Sequence, residues 1–227
     1  MNHNQDKTLS FHKILLLCLI HLVIWGVYAF VLVPVMKNSL GDLSYELVGE
    51  SIKLIVWTVP AIFLIRRYSS DMSLTLREML TLRFKPIPYI LLSVGILFYS
   101  LVSSIVINGN ITIIHPDPLS WLIGGVLLVG ITEEVLFRGF FLNALLTKIK
   151  AIHALTLSSL MFVVIHLPWW IYSGKFSDPL SALGGCASIF VLGLVFGWTF
   201  MKSRNIFVPM FLHMLWNLSM TLFVIGV

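Results

Sequence analysis

The sequence predicts an all-α polytopic membrane protein with about seven transmembrane helices and a cytoplasmic amino terminus, and three observations carry that prediction. Hydrophobic residues make up 58% of the 227 positions and charged residues only 11%, against about 25% charged in soluble domains. Mean hydropathy is +0.97, and the apolar residues gather into runs close to the roughly 20 that a helix needs to cross a bilayer. Basic residues fall mostly on one side of the alternating loops, which sets the orientation.

Ile14 to Val35 comes after a basic amino end, is long enough to span and lacks a small-residue cleavage pattern, so it reads as a first transmembrane helix and not as a signal peptide. Leu43 to Ile65 is the second span, although Glu46, Glu50 and Lys53 crowd its first half. Arg66 to Lys85 sets Leu76, Met79, Leu80 and Phe84 against a basic face. That is the pattern of a short helix lying on the membrane surface, or of a plain solvated loop. Pro88 to Ile107 is the third span, and the turn formers and prolines of Asn108 to Ser120 separate it from the last four. Leu119 to Leu146, Ile152 to Trp170, Leu180 to Met201 and Ile206 to Val227 complete the set.

With the amino terminus inside, 12 of the 15 basic residues lie inside, leaving Lys37, Lys53 and Lys175 outside, as the positive-inside rule requires. The formal charge of +5 is then loop bias, and no nucleic-acid partner is implied. Cys18 and Cys186 stand in apolar runs without the spacing of a disulfide framework or a thiolate metal site, and read as small packing residues. Residues 1–115 thus form an amino-terminal membrane region of three helices with a cytoplasmic basic loop. Residues 116–227 form a membrane core that carries the chemistry.

The chemistry centres on Ile131 to Phe140, ITEEVLFRGF. Ionisable groups at the centre of a transmembrane helix cost about 2.5–3.5 kcal/mol each on insertion scales, so their presence points to function. Glu134 and Arg138 are four apart, share a helix face and can neutralise each other. Glu133 is turned about 100° away and must find a partner on another helix, water or a raised pKa. Two later spans offer partners: His166 before Pro168, a helix breaker by its missing N–H, and His213 with Asn217 one turn later. Such a glutamate can take a proton from water, the histidines can bind a metal or stabilise an oxyanion, and the asparagine can donate a hydrogen bond to it. A structural ion-pair network is the plain alternative; His21, alone in its span, reads as an interhelical contact.

Depth is the difficulty. His166 lies about 21 Å along its helix from Ile152 and His213 about 10 Å from Ile206, at 1.5 Å per residue. The expectation is therefore a later start for the fifth helix or an early end for the sixth, with the side chains within about 10 Å if they share one site. Gly193 and Gly197 make a small-xxx-small step that lets the sixth helix approach a neighbour closely.

These residues, Glu133-Glu134 with Arg138 and Gly139, Phe162 with His166, and His213 with Asn217, resemble the three motifs of the CAAX-protease and bacteriocin-processing (CPBP) intramembrane endopeptidases. The resemblance runs from about Trp121 to Thr221 and does not extend before Ile114. It implies an intramembrane endopeptidase acting on a membrane-associated, lipidated or secreted peptide, in a multi-pass membrane protein whose partners are that substrate and the lipid bilayer. In a bacterium the location would be the plasma membrane. By carry-over Glu133 activates the water with help from His166, His213 and Asn217 stabilise the oxyanion, and Glu134 and Arg138 support them. The family has been described both as metalloproteases and as glutamate-dependent proteases. A divalent metal such as zinc is thus a candidate cofactor, with Glu133, His166 and His213 as candidate ligands and Glu134 or water as base. No HExxH motif is present. Two other readings compete: a non-catalytic immunity or peptide-binding protein of the same architecture, and a small transporter with a proton-relay glutamate.

Overall fold

The computed structural model describes residues 8–81, 83–113 and 122–225, and every regular element among them is helical. Seven long helices succeed one another: α1 (Phe11–Ser39), α2 (42–67), α3 (Ile87–Asn108), α4 (122–145), α5 (Ala151–Tyr172), α6 (Pro179–Ser203) and α7 (Phe207–Val224). Among the described residues, six of them are long and apolar enough to cross a membrane. The seventh, α4, is of similar length, but Glu133, Glu134 and Arg138 set it apart from the apolar six. The chain is an integral, multi-pass membrane protein. Its centre is α4 itself, every residue of which from 136 to 145 is buried.

Prolines shape the first two helices. In α1 a wide π turn at Tyr28–Leu32 precedes Pro34, and in α2 a π turn at Leu54–Thr58 precedes Pro60. A proline supplies no N–H and crowds the carbonyl four residues back, so the preceding turn opens to i→i+5 spacing. In α5 the break falls where Pro168 predicts it. Regular helix stops at Val164 and resumes at Leu167, leaving His166 on the turn between them.

The segment after α2 differs from a surface helix. It holds a 3-10 turn at Ser69–Asp71 and one short α-helical turn at Leu76–Met79, which opens with a capping box between Thr75 and Glu78, while Met79 is buried and Leu80 exposed. What organises the segment is polar stapling to the bundle. Leu74 exchanges two hydrogen bonds with the buried Asn143 amide, at 2.8 Å and 2.7 Å. Asp71 accepts from Lys148 Nζ at 2.6 Å and from the Leu9 amide at 3.0 Å. Burial works against the Asp71 charge, but these partners outweigh it and hold its carboxyl below the usual range.

The helix starts also account for the depth difficulty, though not as expected: α5 begins at Ala151 and α6 runs on to Ser203. The offset comes from α7. Its entering turn is sunk, with Asn205 and Ile206 buried beneath the 75–81 segment. Asn205 Nδ2 donates to Thr81 O at 2.8 Å and the Ile206 amide to Met79 O at 2.9 Å. Residues 151–153 at the start of α5 are exposed, so His213 needs fewer residues than His166 to reach the same depth.

The small-xxx-small step does bring α6 against α5. A Cβ on Gly193 would lie 2.9 Å from Ser159 Cβ and 3.0 Å from its Cα, backbone that cannot rotate away. Gly193→Ala is expected to cost about 1–3 kcal/mol as an overpacked contact, read as a lowered melting temperature of the detergent-solubilised protein. An unchanged melting temperature would show that the helices have room to part. His21 is buried, gives its Nδ1 to Leu17 O at 2.7 Å and sets its ring edge against Phe141 of α4, the interhelical contact its sequence position suggests.

Candidate active site

Glu133, Glu134 and Arg138 stand on consecutive turns at the middle of α4, where the α-helical Val129–Glu134 passes into a π-helical turn at Val135–Leu142. Their register separates them as spacing predicts. Arg138 Nη1 donates to Glu134 Oε1 at 2.8 Å, with the two side chains 1% and 0% exposed. Arg138 Nη2 reaches Gly193 O on α6 at 3.3 Å. The guanidinium also lies over the rings of Phe162 and Phe196, at 4.4 and 5.4 Å from their centroids, where π faces help offset a buried charge.

Glu134 has a second task that spacing along α4 cannot show. Its Oε1 lies 2.8 Å from His213 Nδ1. A carboxylate only accepts, so Nδ1 carries the hydrogen of this bond, which turns Nε2 towards Glu133. His166 is fixed in the same sense by its own helix: Nδ1 donates to Phe162 O at 2.6 Å. Phe162 therefore serves the site twice, through its ring on Arg138 and its carbonyl on His166.

The two free imidazole nitrogens meet one carboxylate oxygen. Glu133 Oε2 lies 4.0 Å from His166 Nε2 and 3.9 Å from His213 Nε2. The two histidines are thus well inside the separation expected of a shared site. His213 is further held by stacking on Phe196, centroids 5.0 Å apart and planes at 21°. The gaps to Glu133 are too long for direct hydrogen bonds, and one water can span them while keeping bonds to both sides.

Asn217 stands one turn beyond His213, and its Nδ2 donates to Gly125 O at 3.0 Å. That bond ties α7 to the first π turn of α4 and occupies one of the two amide hydrogens.

Beside Glu133 and His166 opens a cavity of about 190 Å³, lined chiefly by the amino-terminal helices: Trp25 and Tyr28 from α1, and Tyr45, Glu50, Lys53 and Trp57 from α2. Sequence reasoning missed this wall. A signal for it exists, since Glu50 and Lys53 within an apolar span carry the same functional presumption as the α4 charges, beyond making the span a weaker one.

As metal ligands, Glu133, His166 and His213 have the right chemistry, neutral imidazoles with the Nδ1 hydrogens anchored and Nε2 free. Their separations of 3.9–4.0 Å exceed the roughly 3.3 Å between two ligands of one tetrahedral zinc at about 2.0–2.1 Å. No group of three such side chains among the described residues is placed to hold a metal ion. The arrangement as it stands does not fit zinc.

A buried carboxylate that faces two oriented imidazoles beside a cavity brings together, within a helical membrane protein, groups of the kind that hydrolysis uses. Residues 115–219 match the family model described as type II CAAX prenyl endopeptidase Rce1-like. Over this segment the chain is similar to that family of CAAX-type intramembrane proteases. No curated protein matches the chain.

Proposed function

We propose that this protein is an intramembrane endopeptidase that hydrolyses a peptide bond of a membrane-associated, lipidated or secreted peptide, with water activated by Glu133. The observation that carries the proposal is the approach of His166 Nε2 and His213 Nε2 to the same Glu133 oxygen at the edge of a cavity. Water seated among these three groups gives one hydrogen to Glu133 as its oxygen attacks the carbonyl carbon. The carbonyl oxygen becomes an oxyanion, met by the second amide hydrogen of Asn217 and by Nε2–H of His213, which enters and leaves the cycle as an imidazolium paired through Nδ1–H with Glu134. Collapse breaks the C–N bond. Glu133 returns its proton to the departing amine, leaving a carboxyl product and an amine product. Glu134 acts through His213 by holding its ring and its charge.

The test is cleavage of a membrane-anchored peptide by purified, detergent-solubilised protein, with and without a strong chelator, beside elemental analysis. Cleavage that persists in chelator, without stoichiometric zinc, is the expected result. Loss of cleavage in chelator and recovery with zinc would instead mean that Glu133, His166 and His213 close on a metal. Absence of cleavage under every condition would favour a non-catalytic peptide-binding role.

A further inference from the structure

A groove of about 430 Å³ shares no lining residue with the cavity beside Glu133. α3 and α6 both pack on α7 and stand apart over it. Gly95 and Tyr99 of α3 form one wall, Ala187 and Val191 of α6 the other, and Trp216 of α7 the floor, with Phe196 of α6 beside it. Trp216 stacks on Tyr99, centroids 5.5 Å apart and planes at 23°. Among the described residues, no charged side chain lines the groove. Gly95 keeps its wall low. A Cβ there would meet no atom within 4 Å, so close helix packing does not explain a glycine in the middle of a span, where it weakens the helix relative to alanine.

The groove is continuous with the surface that the bundle turns to lipid. Leu91, Val94 and Phe98, interleaved with its α3 wall, and Leu183, one turn before its α6 wall, are all exposed within membrane spans, where the surrounding medium is hydrocarbon. That medium brings no water to fill an apolar hollow, so lipid chains fill it. From Leu92 to Tyr99 the groove extends about 10 Å along α3, within the roughly 15 Å hydrocarbon depth of one leaflet. It follows the helices, the direction in which acyl chains lie. Its cross-section is then about 40 Å², half or less of that of a helix 10–12 Å across, so a chain fits and a further helix does not. Phe196 joins the groove to the chemistry. Its ring stacks on His213, centroids 5.0 Å apart and planes at 21°, and lies 5.4 Å from the Arg138 guanidinium.

We propose that the groove seats one acyl chain of a bilayer phospholipid, and that this chain packs behind Phe196 and so holds His213 in place beside Glu133. The binding stands on the fold alone, while its consequence for turnover rests on the peptidase reading. With hydrocarbon against its outer side the Phe196 ring has no room to turn away from the imidazole, whereas an emptied groove gives it that room. The α3 wall lies outside the 115–219 segment that matches the family, so the seat is completed by this chain's own third helix.

The experiment titrates the full-length protein, in micelles of a short-chain detergent, with phosphatidylcholine whose acyl chains are brominated and quench tryptophan on contact. The share of Trp216 is isolated by difference from Trp216→Phe, and that of Trp198, exposed on α6, by difference from Trp198→Phe. The expected result is half-quenching of Trp216 at a lipid-to-detergent ratio at least tenfold below that for Trp198. Gly95→Leu, which fills the seat with its own side chain, brings the two curves together, and Ala187→Leu fills it from the other wall if Gly95→Leu does not fold. In the same micelles, added phosphatidylcholine raises cleavage of a membrane-anchored peptide several-fold, and the filled variant loses this dependence. Equal quenching of the two tryptophans, a preference that survives filling, or quenching of Trp216 by a brominated acyl-peptide alone overturns the seat. Turnover indifferent to phospholipid, in a protein whose Trp216 is preferentially quenched, overturns the link to His213. Quenching needs no catalysis, so the seat and the peptidase reading can fail separately.

Discussion

Glu133→Gln is expected to lower kcat on a cleavable membrane-anchored peptide by roughly 10²- to 10⁴-fold, the usual contribution of a positioned general base, while the protein melts as before. The substitution keeps shape and volume and removes only the ability to take a proton. Stability should hold because Glu133 makes no direct hydrogen bond to either histidine, at 4.0 and 3.9 Å, whereas the bonds that fix the rings run through Phe162 and Glu134. Turnover within a factor of two of the unmodified protein would remove Glu133 from its role. A loss of activity with a matching fall in melting temperature would mark it as structural.

The opposite pattern is expected one helical turn away. Arg138→Met keeps the length of the side chain but strips the counter-ion from Glu134, which is 0% exposed. Breaking a buried pair on one side costs about 3–5 kcal/mol, because the remaining charge stays in a low-dielectric interior. The melting temperature of Arg138→Met should therefore fall steeply. Adding Glu134→Gln should restore much of it, since removing both charges also removes the uncompensated one. Arg138→Lys should recover little. An ammonium lacks the planar fork that reaches both Glu134 Oε1 and Gly193 O while lying flat on Phe162. A stable single variant would mean that Glu134 is neutralised by other means, such as a proton of its own.

These contrasting expectations divide the ITEEVLFRGF stretch less cleanly than helical spacing does. Spacing sets Glu134 and Arg138 aside as a self-contained pair and leaves Glu133 alone to face the other helices. In the fold, His213 bridges the two glutamates, Nδ1 on Glu134 and Nε2 towards Glu133. The supporting pair thereby reaches the reacting groups through the orientation of one imidazole. That bridge depends on which way α7 is rotated and how deep its entering turn lies, neither of which has a signature within α7 itself.

The sequence by itself determined the spans, the break in α5 near Pro168, the close step at Gly193 and the Glu134–Arg138 pair. Each depends on residues within one helix or on its hydropathy, where 3.6-residue periodicity and the cost of charge in lipid suffice. Tertiary structure alone decided three matters: the sunk start of α7 that brings His213 level with His166, the docking of Leu74 and Asp71 on the end of the bundle, and the wall that α1 and α2 place before Glu133. These depend on relative height and rotation between helices far apart in the chain, set by buried polar contacts such as Asn205 to Thr81 and Asn143 to Leu74. Helical periodicity specifies which face a side chain occupies, and carries no information on which helix that face will meet.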